Sequence, residues 1–295
     1  MAEVINNTIV ISDLHCGCRI GLCHPDGAEL DGGGTYKPSK FQLKMWSMWR
    51  EFWHEWVPRV CRGEPFDVVV NGDAIDGSHH GTTTQWSHDS EDQAEAAYQI
   101  LAPIAEKAAR FYMVRGTEAH VGQSGVEEER LAKRLGAVKD KEGRYARWEL
   151  WKYIGGRKGA LAHIMHHIGT TGRAAYETSG PQAELIAEFV ESARKRKRPP
   201  DFVIRSHRHR FIRATNPTDA GDAIVAVTPG WQGKTPFVYK IAARVMEPQF
   251  GGLLLRQGDE EHFLRHRYWS DGSPESRGVT WRRSRSMNGK TSWRA

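Results

Sequence analysis

Ten residues, Asp67-Val68-Val69-Val70-Asn71-Gly72-Asp73-Ala74-Ile75-Asp76, constrain this chain more than any other stretch. A valine run, apolar on both faces, reads as a strand buried in a sheet that is covered on each side. Gly72 lets the backbone turn where the strand stops, and Asp73 and Asp76 follow at its carboxyl end. Open α/β sheets bind their ligands at that end. Two carboxylates there are costly unless positive charge compensates them. Taken alone, the stretch is most simply an acidic turn; the other strand ends change that reading.

Thr8-Ile9-Val10-Ile11-Ser12 reads as a short strand that stops at Asp13-Leu14-His15. Residues 16–40, rich in Gly, Pro, Cys and Asp, read as a long loop or insertion. Met45, Trp46, Met48, Trp49, Phe52, Trp53 and Trp56 recur at three- and four-residue steps, which predicts a helix over 41–60 that stops at Pro58. Its tryptophans suit a buried face better than a base-stacking one. A polar loop with His79, His80 and His88 precedes a helix over 90–109, with Ser90 as N-cap. A strand over 111–115 ends at Gly116-Thr117-Glu118-Ala119-His120, and a helix over 124–135 opens at Ser124. Further strands are predicted over 147–154, 160–165, 201–205, 223–228 and 251–256, with a helix over 181–193 that Pro199-Pro200 end. The strands over 160–165 and 201–205 run into His166-His167 and into Ser206-His207-Arg208-His209.

Five strands thus end in Asp, Glu or His. A lone histidine after a strand is ordinarily a loop residue, but five strand ends converge on one sheet edge. The set exceeds the three or four protein ligands of a single zinc ion. It suits two divalent ions of the Mn, Fe or Zn kind, with Mn preferred. Two such ions clamp phosphate oxygens and activate water.

The order of these motifs resembles the calcineurin-like metallophosphoesterases, whose pattern is Asp-x-His, Gly-Asp-x-x-Asp, Gly-Asn-His-Asp/Glu, a lone His, then Gly-His-x-His. Asp13-Leu14-His15, Gly72-Asp73-Ala74-Ile75-Asp76, His166 and Ser206-His207-Arg208-His209 carry the resemblance, over residues 8–210. It implies an α/β fold, a βαβ sandwich of two mixed sheets flanked by helices. It also implies one metal on Asp13, His15 and His209, and a second on His166 and His207, with Asp73 bridging. Asp76 would act from behind a ligand. His166 is preferred to His167 because it comes directly off the strand. The third motif departs from the pattern. A strict register makes Thr117 the ligand; a shifted one, preferred here, makes Glu118 the ligand and His120 the phosphate-facing histidine. Arg115 and Arg208 flank the site as candidates for steering phosphate.

The implied reaction is in-line attack on phosphorus by a hydroxide held between the metals, with His120 or water protonating the leaving oxygen. The net charge of +6 favours a phosphodiester of nucleic acid or a nucleotide as substrate. A phosphomonoesterase is the alternative, and a metal-containing nucleic-acid-binding protein that has lost catalysis is another. Much of the excess charge sits in 194–198 and in the C-terminal arginines, where a solvated helix end and a tail also account for it.

Residues 1–269 are expected to form one domain, with insertions near 16–60, and 270–295 a basic disordered tail. No apolar run approaches the ~18 residues of a membrane span. No signal peptide is visible at Met1-Ala2-Glu3-Val4, so a cytoplasmic location without membrane partners is expected. Cys16, Cys18, Cys23 and Cys61 are too few for a disulfide framework. The Cys16, Cys18, Cys23 and His24 cluster matches no common zinc spacing.

Overall fold

A computed structural model describes residues 3–79, 81–122, 125–169, 174–219, 221–240 and 247–270, and the backbone of 282–285 and 291–294. The elements run β1 (Asn7–Ile11), β2 (Ala28–Glu29), β3 (Thr35–Tyr36), α1 (Lys40–Glu51), α2 (Val57–Val60), β4 (Phe66–Asn71), α3 (Ser90–Lys107) and β5 (Arg110–Val114). They continue with α4 (Glu118–Val121), α5 (Val126–Arg134), β6 (Ala146–Arg147), β7 (Leu150–Ile154), β8 (Ala160–Ile164) and α6 (Ser179–Arg194). Next come β9 (Phe202–Arg205), β10 (Ile212–Thr218), β11 (Gly221–Val227), α7 (Pro236–Lys240), β12 (Gln249–Gln257) and β13 (His262–Ser270). A pair, β14 (Arg282–Arg285) with β15 (Thr291–Arg294), closes the chain.

Two sheets carry the site. One has the order β13-β12-β1-β4-β5-β6 and the other β10-β11-β9-β8-β7. In the first, β1, β4, β5 and β6 are parallel and β12 and β13 antiparallel. In the second, β8, β9 and β11 are parallel, with β7 and β10 antiparallel at the edges. The α/β architecture of two mixed sheets flanked by helices is therefore as expected. The inner faces meet through Val10, Val69, Val114, Ile164, Phe202, Ile204 and Leu253, all fully buried. α1, α3 and α5 cover the outer face of the first sheet through Met45, Trp49, Ile100, Leu101 and Leu131. α6 covers the second through Leu185 against Val203 and Val225. Residues 41–60, assigned to an insertion, thus form part of a covering layer.

Local chemistry shifts several boundaries. Between α1 and α2, residues Phe52–Trp56 form a π-helical turn. Pro58, which has no N–H to donate, sits just beyond it, so the chain passes the expected stop and ends at Cys61. Trp49, Phe52, Trp53 and Trp56 are buried, and Trp231 packs edge-on against Trp49 and Phe52. The N-cap of α3 is Asp89 rather than Ser90: its carboxylate accepts from the Glu91 N–H at 2.8 Å. Ser124 lies outside the described residues, as does the predicted disorder over 271–281 and 286–290. β6, β10 and β13 were not legible. β10 carries Pro217 and β13 is half polar, both compatible with sheet edges.

Candidate metal centre

The carboxyl ends of β1, β4, β5, β8 and β9 meet at one place, and the loops that leave them are tied together by the backbone. Asp13 N–H donates to the Gly72 carbonyl and His15 N–H to the Asp73 carbonyl, each at 3.0 Å. Gly72 is obligatory, because a Cβ there would lie 2.4 Å from the His166 ring and its φ is +81°. Gly116 is likewise required: its Cβ would fall 2.0 Å from Asp73 Oδ1.

Asp13, His15, Asp73, His207 and His209 all have φ between +47° and +71°. Left-handed backbone is uncommon outside glycine and costs energy, and such residues gather at functional sites. Arg62 and Arg196 are the other non-glycine cases among the described residues. The tight turns aim consecutive side chains into one space.

Four overlapping groups result among the described residues: Asp13/His15/His209, Asp73/His166/His207, His15/Asp73/His120 and Asp76/His79/His120, with the ligand atoms of each within 4.8 Å of one another. The first two draw on both sheets. These buried His and Asp groups are able to hold metal ions. His15 Nε2 stands 3.2 Å from His209 Nε2, close to the roughly 3.4 Å between two ligands placed about 2.1 Å from a tetrahedral ion. Asp13 Oδ1 and His166 Nε2 are buried without a hydrogen bond, although they approach His209 at 3.3 Å and Asp73 at 3.0 Å respectively. Lone pairs aimed at a common space, with no protein donor aligned on them, are what a cation site requires.

Electrostatics agree. Burial pushes the Asp13 carboxyl up, but His209 and His166 outweigh it and hold it at about 2. Burial also opposes ionisation of Asp73, and His166 and His120 override it, leaving its pKa well below the ordinary value. Burial pulls His166 down while Asp73 and Asp13 raise it to about 10. Burial and the nearby His166 press His207 down to about 4.

Second-layer contacts fix tautomers. Asp76 Oδ1 accepts from His15 Nδ1 at 3.0 Å and from Gln232 at 2.9 Å, and Asp76 Oδ2 accepts from Gln85 at 2.6 Å. Asp76 therefore orients His15 from behind and leaves Nε2 for the site. His166 donates Nδ1–H to the Asn71 carbonyl at 2.6 Å, which likewise frees its Nε2. His167 is exposed beside His207. His163, on the outer face, stacks on Trp151 and pairs with Glu188.

The third motif follows neither register completely. Thr117 N–H donates to Asp73 Oδ1 at 2.8 Å, and Thr117 Oγ1 lies 3.3 Å from both Asp73 oxygens. Glu118, the preferred ligand, is exposed in the first turn of α4 and belongs to no ligand group among the described residues. Helix geometry is the reason: at about 100° per residue, Glu118 rotates outward and His120 returns to the side of Thr117. His120 does enter the site. Its Nδ1–H donates to the Asp76 carbonyl at 2.6 Å, its Nε2 is 3.9 Å from Asp73 Oδ2, and its ring meets His15 edge-on. Burial depresses it to about 4. Glu118 thus adds no carboxylate to the groups among the described residues that are able to hold metal.

The two arginines are committed elsewhere. Arg115 donates to the Ala146 carbonyl at 2.9 Å, pairs with Glu129 and lies over Trp148. Arg208 donates to the carbonyls of Gly169 and Glu177 and so braces the loop after β8. The cysteines are buried thiols, and burial raises Cys18 and Cys23 to about 12; none belongs to a ligand group among the described residues.

Two further features escape simple motif reading. A chain of buried hydroxyls runs beneath the site: Ser12 bonds Asp13 Oδ2 and Thr228, Thr228 bonds Ser206 at 2.6 Å, and Ser206 accepts from Asn71 at 2.6 Å. This gives the Ser206 hydroxyl a place in the network beneath the site. Glu128, fully buried, accepts from the N–H groups of Ala74 (3.0 Å) and Gly116 (2.7 Å) and clamps the β4 and β5 loops. Burial and the charge on Asp73 raise it to about 7. Its spacing to Leu131 and Ala132, one helical face, is the signal that marks it off from Glu127 and Glu129.

No protein-family model matches the chain, and no curated protein matches its sequence. Among solved structures, vacuolar protein sorting 29 from Cryptosporidium parvum is similar at 10% identity and a TM-score of 0.36, over 91% of this chain and 100% of that one. A Thermotoga maritima protein of known solution structure is similar at 10% identity and a TM-score of 0.38, over 90% and 100%. Likeness this distant carries no weight, and the fold stands on its strand order. No helix among the described residues is long and apolar enough to cross a membrane.

Proposed function

We propose that this protein is a phosphoesterase of the calcineurin-like kind, dependent on two divalent ions and acting on a phosphodiester of nucleic acid or a nucleotide. One observation carries the reading: two adjacent three-residue groups, Asp13/His15/His209 and Asp73/His166/His207, on strained backbone at converging strand ends. Asp73, beside both His166 and His120, suits a shared position. Bound there, two ions, Mn foremost and Fe or Zn otherwise, would neutralise phosphate oxygens and acidify water near neutral pH. The protein's own part is to aim Nε2 of His15 and His166 at the ion positions through the contacts made by their Nδ1 atoms, and to present His120 Nε2 toward the leaving oxygen from a ring fixed through Nδ1. Two ligand carboxylates rather than three leave more net positive charge for an anionic substrate.

The test is hydrolysis of a chromogenic phosphodiester and of its monoester with manganese in excess. Turnover of the diester well above the monoester supports the reading; the reverse moves it to a phosphomonoesterase. Thr117 in place of the family asparagine favours a second reading, a metal-containing nucleic-acid-binding protein without catalysis. Full metal occupancy with no turnover of either ester would select it.

A further inference from the structure

One edge strand of each sheet meets the other beside the metal centre. β13 ends the six-stranded sheet and β10 the five-stranded sheet. Three rings cluster along this seam: Phe211 and His266 lie 3.8 Å apart between centroids at 20°, His266 and Tyr268 lie 5.5 Å apart at 14°, and Phe211 and Tyr268 lie 6.0 Å apart at 30°. Phe211 is half-buried against the inter-sheet core, whereas His266 and Tyr268 are exposed.

Charge along the seam has one sign. β10 and β13 contain Arg213, Arg265 and Arg267 and no acidic residue. Arg267 pairs with Glu51. Arg213 and Arg265 are exposed, and no acidic side chain among the described residues stands within ion-pair distance of either. The chain then continues past Ser270 into 271–295, where six lysines and arginines face only Asp271 and Glu275 in sequence.

The seam is continuous with the site. Gln249 donates its N–H to the His209 carbonyl at 2.8 Å, and its side chain accepts from the Phe211 N–H at 2.7 Å. Gln249 is opposite Ser270, and Gly251 opposite Tyr268, so the exposed end of the stack lies at the ligand end of the sheet.

We infer that the β10–β13 seam is a track for single-stranded nucleic acid leading to the metal centre. Bases stack on Tyr268 and His266, and phosphates are met by Arg213 and Arg265. An added protein strand is the competing occupant of an exposed edge, and arginines along it oppose such pairing. A duplex hides its base faces from the rings. The inference rests on the phosphodiesterase reading only for what happens at the end of the track.

The test uses the full-length protein and a fluorescent oligodeoxythymidylate of roughly 20 nucleotides, longer than the roughly 4–16 that single-strand-binding folds cover. Tyr268→Ala is expected to weaken binding by roughly fivefold or more, the lower end of measured base stacking, while Tyr268→Phe retains it. Arg213→Glu with Arg265→Glu should weaken binding further and flatten its salt dependence. Turnover of the chromogenic diester should not change in any of these variants. Binding that is unaffected in all variants, or equal affinity for a duplex of the same length, overturns the inference. Variant-sensitive binding without any ester turnover leaves the track standing and removes the catalytic reading instead.

Discussion

Glu128→Ala tests whether the loops that carry Asp73 and Thr117 depend on one buried carboxylate. Its removal orphans the N–H groups of Ala74 and Gly116, at about 1–3 kcal/mol for each buried unsatisfied donor, or about 2–6 kcal/mol together. Against this stands the cost of keeping Glu128 charged. Its rise from 4.5 to about 7 corresponds to about 3 kcal/mol. The sign follows from linkage: a carboxyl whose folded pKa is raised contributes stability that is complete below 4.5 and is lost as pH rises through about 7. The wild-type advantage over Glu128→Ala should therefore be largest near pH 5 and about 3 kcal/mol smaller near pH 8. Urea midpoints of the metal-free proteins at the two pH values measure it. An equal advantage at both, or a larger one at pH 8, would refute the clamp as described.

Other outcomes follow from the same geometry. Glu118→Ala should leave metal content unchanged by elemental analysis, because the side chain is exposed, whereas Asp73→Asn should lower it. His120→Ala should retain metal and lower turnover by about 10²–10⁴-fold, the range for a lost general acid. His166, pulled down by burial but raised to about 10 by Asp73 and Asp13, binds its proton more tightly when folded. The metal-free protein should lose stability as pH rises from 6.5 towards 10, and added manganese should abolish the loss, as thermal melts would show.

The parallel core of the fold was legible because Val68-Val69-Val70 and Phe202-Val203-Ile204 leave only a doubly covered strand. The edge strands β6, β10 and β13 were not, since their half-polar faces follow from neighbours remote in sequence, whereas the alternation of β7 did show. Most residues that gather at the site could be named from strand ends alone: Asp13, His15, Asp73, His166, His207 and His209 lie in groups able to hold a metal ion. Glu118 failed because strand-end counting cannot say where a helical turn begins: α4 starts at once, and 100° of rotation decides which side chain faces inward. The partners of Arg115 and Arg208 were not legible because the carbonyls they engage, Ala146 and Gly169, lie 31 and 39 residues away. The positive φ values of five site residues have no sequence signature beyond a tolerance of Asp and His for that region.

Because the groups Asp13/His15/His209 and Asp73/His166/His207 take residues from both sheets, an ion seated in either would act as a rivet through the sandwich. Pulling it out would do more than empty a catalytic centre: it would loosen the upper rim of two layers that are otherwise joined there by the buried hydroxyls, the Asn71 contacts to Met165 and His166, and a few backbone bonds. Substitutions deep in the inter-sheet packing, far from any ligand, would then be felt first as weakened grip on metal.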